Sequence, residues 1–243
     1  MKKVLIIGAT SAIAVAVARR LSARAAAFHL VGRSEERLMD LAADLSVRGA
    51  HAVTISVLNV ADLSAHEAMI ETATRNLGGL DIVLIAHGTL PAQATCDTDT
   101  AYALQEFHIN GTATIALSNR LAPMLTPGST LAVISSVAGD RGRASNYLYG
   151  SAKAAVSAYL SGLSQRLFKA GINVLTIKPG FVDTPMTASF KKGAMWATPD
   201  QVAAGILTAI DKRRSMAYLP SFWYVIMKII VNIPEFVFRR IRL

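Results

Sequence analysis

Val4-Leu5-Ile6-Ile7-Gly8-Ala9-Thr10-Ser11-Ala12-Ile13-Ala14 runs from an uninterrupted apolar stretch into a glycine turn, then into an alanine-rich segment reaching about Arg24. Four apolar residues in a row suit a strand buried on both faces, and the glycine supplies the turn into a helix. The same unit repeats downstream. Further strands are expected at Phe28–Val31, Ala52–Val57, Asp81–Ala86, Thr130–Ser135 and Ile172–Ile177. A helix capped by Ser34, with Glu36 and Arg37 in its first turn, should run to about Arg48. Others are expected at Asp62–Leu77, from about Thr100 to Leu121, at Tyr149–Lys169 and at Pro199–Asp211. Tyr218-Leu219-Pro220 supplies a seventh strand at the sheet edge. Apolar strands that each alternate with a helix indicate a parallel sheet covered on both faces. Right-handed crossovers then make it an α/β, doubly wound three-layer sandwich of the Rossmann kind, with seven parallel strands and ligand sites at their carboxyl ends.

Composition agrees with that reading. The 243 residues suffice for one well-buried α/β domain and are few for two, and 52% hydrophobic content suits a covered sheet rather than a disordered chain. No linker or repeat divides the chain, so residues 1–220 read as one domain and 221–243 as a helical extension. The single cysteine, Cys96, forms no disulfide framework and leaves no thiolate metal pattern; no metal is expected, and a reducing, cytoplasmic setting fits. Met1-Lys2-Lys3 before an apolar run has the look of a secretion signal, but Gly8–Ser11 cuts the run short and a buried first strand is the better reading. No apolar run reaches the roughly 18–20 residues of a membrane-spanning helix. The formal charge of +9 suits an anionic ligand or lipid. Nucleic acid is not the expected partner, because no basic run is interleaved with aromatics.

Two strand ends carry chemistry. The turn from Gly8 to Ile13 would present helical N–H groups to a pyrophosphate, although a plain strand-to-helix turn satisfies the same residues. Tyr149-Gly-Ser-Ala-Lys153 places a phenol and an ammonium on one helix face, where the cation would lower the phenol pKa and fit it for proton transfer. In isolation that spacing describes any surface Tyr–Lys pair. Here it begins the helix after strand five, thirteen residues beyond Ser136 in Ile134-Ser135-Ser136-Val137-Ala138-Gly139.

With these residues in order, the chain resembles the short-chain dehydrogenase/reductase family, classical type, from Val4 to about Asp211. The resemblance implies an enzyme that transfers hydride between NADP(H) and a carbonyl or its alcohol. Tyr149 would be the acid/base, Ser136 would orient the substrate carbonyl, and Lys153 would hold the nicotinamide ribose and tune Tyr149. Asn110, followed by Gly111, matches the position that completes a proton relay. Pro179-Gly180-Phe181-Val182-Asp183-Thr184 matches the loop whose Val182 backbone and Thr184 hydroxyl hold the nicotinamide amide.

Three departures stand out. Ala12 and Ala14 replace two glycines of the family's turn, and their methyl groups fit if the helix begins early. Ala86-His87-Gly88 replaces the family's Asn-Ala-Gly, which makes His87 a backbone contact beside the cofactor rather than a base. Asn59, before Val60, replaces an Asp that touches adenine, and its amide can still bond there. At the end of strand two, where NAD-preferring relatives place a carboxylate, this chain has Gly32 followed by Arg33. A guanidinium with no competing acid favours the 2′-phosphate of NADP(H), with Thr10 and Ser11 as added hydroxyl donors.

Substrate and partners are less defined. Pro185–Trp196 reads as a lid, and its Met186, Phe190, Met195 and Trp196 suit an apolar pocket. A hydrophobic carbonyl and a 3-oxoacyl thioester both fit; a non-catalytic NADP-binding sensor or scaffold on the same fold would have no need of Tyr149. From Phe222 on, Lys228, Asn232, Glu235, Arg239 and Arg242 recur every three or four residues, giving an amphipathic helix that Pro234 should break near Asn232. Its aromatics and Arg239, Arg240 and Arg242 suit a membrane interface, hence the cytoplasmic face of a membrane. A subunit interface suits them equally, since the family resemblance implies a homodimer or homotetramer. The tail is also similar to that of decaprenylphosphoryl-2-keto-ribose reductase-like members, which implies a lipid-linked keto-sugar.

Overall fold

Neighbouring residues of the first strand belong to two different cores. In the computed structural model, which describes residues 1–241, β1 (Lys3–Ile7) sends Val4 and Ile6 to one face and Leu5 and Ile7 to the other. All four are fully buried, and each such side chain contributes about 1.5–3 kcal/mol. The chain continues through α1 (Ala12–Ser22), β2 (Ala27–Gly32), α2 (Glu35–Val47), β3 (Ala52–Val57), α3 (His66–Leu77) and β4 (Ile82–Ile85). After these come α4 (Gln93–Thr98), α5 (Thr100–Phe107), α6 (Ala113–Leu121), β5 (Thr130–Ile134) and α7 (Tyr147–Phe168). Last are β6 (Asn173–Pro179), α8 (Pro199–Asp211), β7 (Met216–Leu219), α9 (Phe222–Asn232) and α10 (Glu235–Phe238).

The seven strands are all parallel, in the order β3-β2-β1-β4-β5-β6-β7. The order reverses between β1 and β4, which opens a crevice at their carboxyl ends. Helices α1, α2 and α8 cover one face through Val17, Leu21, Leu38, Leu45 and Ile206. Helices α3, α6 and α7 cover the other through Met69, Ile70, Leu117, Leu121, Val156 and Leu160. The buried His29 of β2 is compatible with this core because Thr54 and Ser56 of β3 each bond one ring nitrogen at 2.8 Å.

The expected elements appear with small shifts. Helix α1 ends at Ser22 rather than Arg24, and α7 begins at Tyr147 rather than Tyr149. The segment expected as one helix from Thr100 to Leu121 is interrupted by a π-type turn over His108–Thr112. Helix α4 was not expected from the sequence; neither of its ends carries a strong cap. The seventh strand begins two residues earlier than expected and ends one earlier, at Met216–Leu219.

The tail does not stand apart from the sheet. It breaks at Pro234, as expected, and α9 buries Trp223 and Met227 against Val137, Phe181 and Tyr218. Gly180 is needed for this seat, since a Cβ there would fall 1.9 Å from the Trp223 indole nitrogen. Arg141 fastens the far end. Its Nη1 donates to the carbonyls of Ile230, Val231 and Ile233, Nη2 donates to Glu235, and the guanidinium lies 3.8 Å from the Phe238 ring centre. Arg242 lies outside the described residues. Among the described residues no helix is long and apolar enough to cross a membrane.

Candidate active site

One cavity of about 480 Å³ occupies the crevice at the strand ends. Its first wall is the turn after β1. Gly8 has φ +80°, and a Cβ there would lie 2.4 Å from the His87 backbone nitrogen, so two strand ends meet at van der Waals range only because this residue is glycine. Ser11 caps α1, its Oγ accepting from the Ala14 N–H at 3.3 Å. The N–H groups of Ala12 and Ile13 have no acceptor one turn back among the described residues, and both residues line the cavity. The early start of α1 leaves Ala12 on the cavity wall and turns the Ala14 methyl into the core, so neither methyl blocks the turn.

At the end of β2, Arg33 lines the cavity beside Thr10 and Ser11. The sequence reading missed a second guanidinium here. Arg37, in the first turn of α2, also lines the cavity and donates from Nη2 to the Thr10 carbonyl at 3.2 Å. Ser34 caps that helix, and this cap points its first turn at the β1–α1 turn. Asn59 and Val60 follow β3 on the same wall, with Asn59 Oδ1 accepting from the Ala61 N–H at 3.2 Å and its amide nitrogen left for a ligand.

Ala86, His87 and Gly88 form the floor after β4. The His87 Nε2 contacts the Ile109 carbonyl at 3.2 Å and the Thr114 hydroxyl at 3.1 Å. Burial pushes its pKa down to about 3, with the Lys153 charge acting in the same direction. The ring is therefore neutral and ill-suited to serve as a base at neutral pH.

Ser136, Tyr149 and Lys153 come together on the opposite wall. Ser136 follows β5, its Oγ accepting from the Ala138 N–H at 3.1 Å while its hydroxyl is hydrogen-bonded with Tyr149. Lys153 is only 2% exposed; its Nζ donates to the Ile134 carbonyl at 3.1 Å and sits 5.7 Å from the Tyr149 ring centre. The electrostatics differ from the sequence expectation. Burial pushes the Tyr149 phenol up to about 12, opposed by a hydrogen bond with Ser136, and Lys153 does not pull it down. The same burial lowers the Lys153 ammonium to about 8. Desolvation outweighs the charge because the ammonium lies over the ring face, held by a backbone carbonyl.

Asn110 is the one expected site residue that does not line the cavity. It sits in the π-type turn, buried, with Nδ2 donating to Thr89 Oγ1 at 2.8 Å and to the Glu106 carbonyl at 3.1 Å. Its Oδ1 accepts from the Thr89 N–H at 3.1 Å. Gly88 separates it from the cavity: a Cβ there would lie 3.0 Å from Asn110 Oδ1 and 3.6 Å from Lys153 Nζ.

Pro179, Gly180, Val182 and Thr184 close the remaining wall, pinned by a parallel bridge between Val182 and Ala197. Of the four apolar residues expected in the lid, Met186 and Phe190 line the cavity. Met195 does not, and Trp196 instead stacks on Phe181 with ring centres 5.4 Å apart. Arg143 and Asn146, which the sequence reading did not single out, line the cavity just before α7. Among the described residues no carboxylate appears on the wall, and its four charged groups, Arg33, Arg37, Arg143 and Lys153, are cationic.

Comparison with known proteins matches this architecture. An uncharacterised oxidoreductase of Mycobacterium tuberculosis strain H37Rv is 36% identical over 239 residues, covering 98% of this chain and 96% of the relative. An uncharacterised oxidoreductase of Streptomyces coelicolor, from the mprA 5′ region, is 31% identical over 99% of this chain and 96% of its own length. A short chain dehydrogenase from Burkholderia cenocepacia J2315, solved in complex with NADP, superposes with a TM-score of 0.79 at 26% identity, over 89% of this chain and 94% of that one. Residues 2–194 match the family model described as short chain dehydrogenase. With that match spanning most of the chain and whole-length relatives of the same kind, the protein belongs to the short-chain dehydrogenase family of oxidoreductases.

Proposed function

We propose that the protein is an NADPH-dependent reductase of a carbonyl, or a dehydrogenase of the matching alcohol, with residues 1–220 as the catalytic unit. The observation that carries this is the meeting of Ser136, Tyr149 and Lys153 on one wall of a cavity whose other end presents α1 N–H groups and two guanidiniums. That end fits a phosphorylated dinucleotide. The helix start with Gly8, Thr10, Ser11, Ala12 and Ile13 would take the pyrophosphate, and Arg33 with Arg37 a 2′-phosphate. Asn59, Val60, Ala86, His87 and Gly88 would border the adenosine and ribose side. Pro179, Gly180, Val182 and Thr184, with Tyr149 and Lys153, would border the nicotinamide. The Burkholderia neighbour, crystallised with NADP, supports the same choice.

When bound, the nicotinamide supplies or accepts the hydride; the chain's own residues handle the oxygen. Ser136, its Oγ already accepting from Ala138, would donate a hydrogen bond to the carbonyl oxygen and so orient it, keeping its own proton. Tyr149 then gives its phenolic proton to that oxygen as negative charge develops there. A phenol held up at about 12 is protonated at neutral pH, the form needed for reduction. Lys153, its Nζ 5.7 Å from the phenol ring centre, would hold the nicotinamide ribose beside Tyr149, and the hydrogen bond from Ser136 favours the phenolate left behind. Asn110, behind Gly88, would position Lys153 and the proton path rather than touch substrate.

Tyr149→Phe tests the reading. In NADPH-consumption assays across ketones, 3-oxoacyl thioesters and keto-sugars, it is expected to lower kcat on the order of 10²–10⁴-fold with NADPH affinity nearly kept. Turnover near wild type would refute proton transfer by Tyr149 and favour a cofactor-sensing or scaffold protein.

A second reading concerns the tail. Phe222, Tyr224, Val225, Ile229, Phe236 and Ile241 are exposed, flanked by Lys228, Arg239 and Arg240. We propose that this face rests on an anionic lipid surface, at the cytoplasmic side, and that the substrate is hydrophobic or lipid-linked, as a keto-sugar on a polyprenyl phosphate would be. Deleting residues from Ser221 onward should abolish binding to anionic liposomes. Unchanged binding would refute it, and dissociation of a homodimer or homotetramer on deletion would assign the face to a subunit contact.

A further inference from the structure

Three of the four cations on the cavity wall have a place in the reading above, and Arg143 has none. It stands just before α7, on the β5 side of the cavity, while Arg33 and Arg37 stand at β2 with β1 and β4 between. Its Nη2 reaches the thioether of Met227 on α9 at 3.7 Å, a weak acceptor for a cation. Its Nε is buried without a hydrogen-bond partner, and no carboxylate among the described residues forms an ion pair with it. Asp140, three residues back, acts on Arg143 only through its charge, without an ion-pair contact: Lys178 Nζ lies 2.5 Å from its Oδ1 and the Tyr218 hydroxyl donates to its Oδ2 at 2.8 Å. One turn on, Asn146 also lines the cavity, and its Oδ1 is likewise buried without a partner.

Burying guanidinium N–H groups unpaired costs free energy, and the cost is recovered when an oxyanion meets the fork. Arg143 reaches Met227, which packs with the buried Val137, so the fork stands beside an apolar patch of the cavity wall where few protein groups compete for an anion. We propose that Arg143, aided by Asn146, anchors an anionic group, a phosphate or a carboxylate, carried by the carbonyl substrate. This rests on the reading of the cavity as a carbonyl-reductase site. The substrate then has an apolar body against Met186 and Phe190 and a charged group near α9. Met227 holds the guanidinium in place for it, which gives the C-terminal helix a part in substrate recognition.

The test uses the full chain saturated with NADP⁺, so that the cofactor occupies its own phosphate positions. Three ketones of similar size serve as probes: 4-acetylphenyl phosphate, 4-acetylbenzoate and neutral 4-methoxyacetophenone. By isothermal titration calorimetry, at least one anion is expected to bind wild type about tenfold or more tighter than the neutral ketone, and Arg143→Gln should remove most of that difference. Preference for the phosphate alone, or the carboxylate alone, supports the anchor and names its anion. Arg143→Lys keeps the charge without the fork and should retain a reduced preference. Equal affinity of wild type for charged and neutral probes, or a preference that survives in Arg143→Gln, overturns the proposal. The two readings fail separately. If anion binding depends on Arg143 while Tyr149→Phe turns over normally, proton transfer falls and the anchor stands. If Tyr149→Phe is inactive and Arg143→Gln binds anions as wild type does, the anchor falls alone.

Discussion

Replacing Lys153 with methionine should remove the site's buried cation and, at neutral pH, make the cofactor-free protein more stable. The ammonium is 2% exposed, and burial lowers its pKa from 10.5 to about 8. Between those values the unfolded chain binds more protons than the folded one, so wild-type stability rises as pH climbs from about 8 to 10.5. Below pH 8 the penalty is complete. It amounts to about 3 kcal/mol at pH 7, falling to about 1 kcal/mol at pH 10. Methionine fills much of the same volume but leaves the Ile134 carbonyl without its donor, an offset of about 1 kcal/mol. The net gain at pH 7 is about 2 kcal/mol, or a rise in Tm of about 4–8 °C for a chain of this length. Thermal melts of both proteins at pH 7, 8.5 and 10 would follow it, alongside loss of turnover in the variant. A Lys153→Met protein that melts below wild type at pH 7, or whose gain is the same at every pH, would refute the reasoning. In that case the ammonium is stabilised in the fold by more than Ile134, and burial is not what sets its pKa.

Other perturbations reach different parts of the molecule. Wild type should prefer NADPH over NADH by about tenfold or more in kcat/KM, and Arg33→Ser with Arg37→Ser should abolish most of that preference in steady-state assays. Asp140→Leu strands the buried Lys178 charge and should cost about 3–5 kcal/mol in urea unfolding, while adding Lys178→Met should recover most of it. Trp223→Ala empties the seat over Gly180 and should weaken the docking of α9 by about 3 kcal/mol, read as faster proteolysis after Pro220 than in wild type.

Much of the fold is legible in the chain because its determinants are local. Val4–Ile7 is apolar at every position, which a doubly covered strand satisfies, and Ser34 marks a helix start through its own side-chain bond. The break at Pro234 follows from the missing N–H of one residue. The expected cofactor-binding residues share one cavity because the topology brings the carboxyl end of every inner strand to the same crevice. Helix α4 escaped notice because its caps are weak, and Arg37 because its place beside Thr10 depends on how α2 packs next to the β1–α1 turn.

What residue types at set spacings determined is therefore the succession of the main strands and helices and the parallel sheet. The grouping of Ser136, Tyr149 and Lys153 with the Gly8 turn and the Pro179–Thr184 loop followed from the resemblance to the short-chain dehydrogenase/reductase family. Tertiary structure decided the energetics. It showed that Tyr149 is held up by burial rather than drawn down by Lys153, and that Asn110 stands behind Gly88. It also showed that Arg143 faces the cavity while Asp140 spends its charge on Lys178 and Tyr218. Desolvation and charge pairing depend on which groups lie within a few ångströms in space, and spacing along the chain does not carry that information.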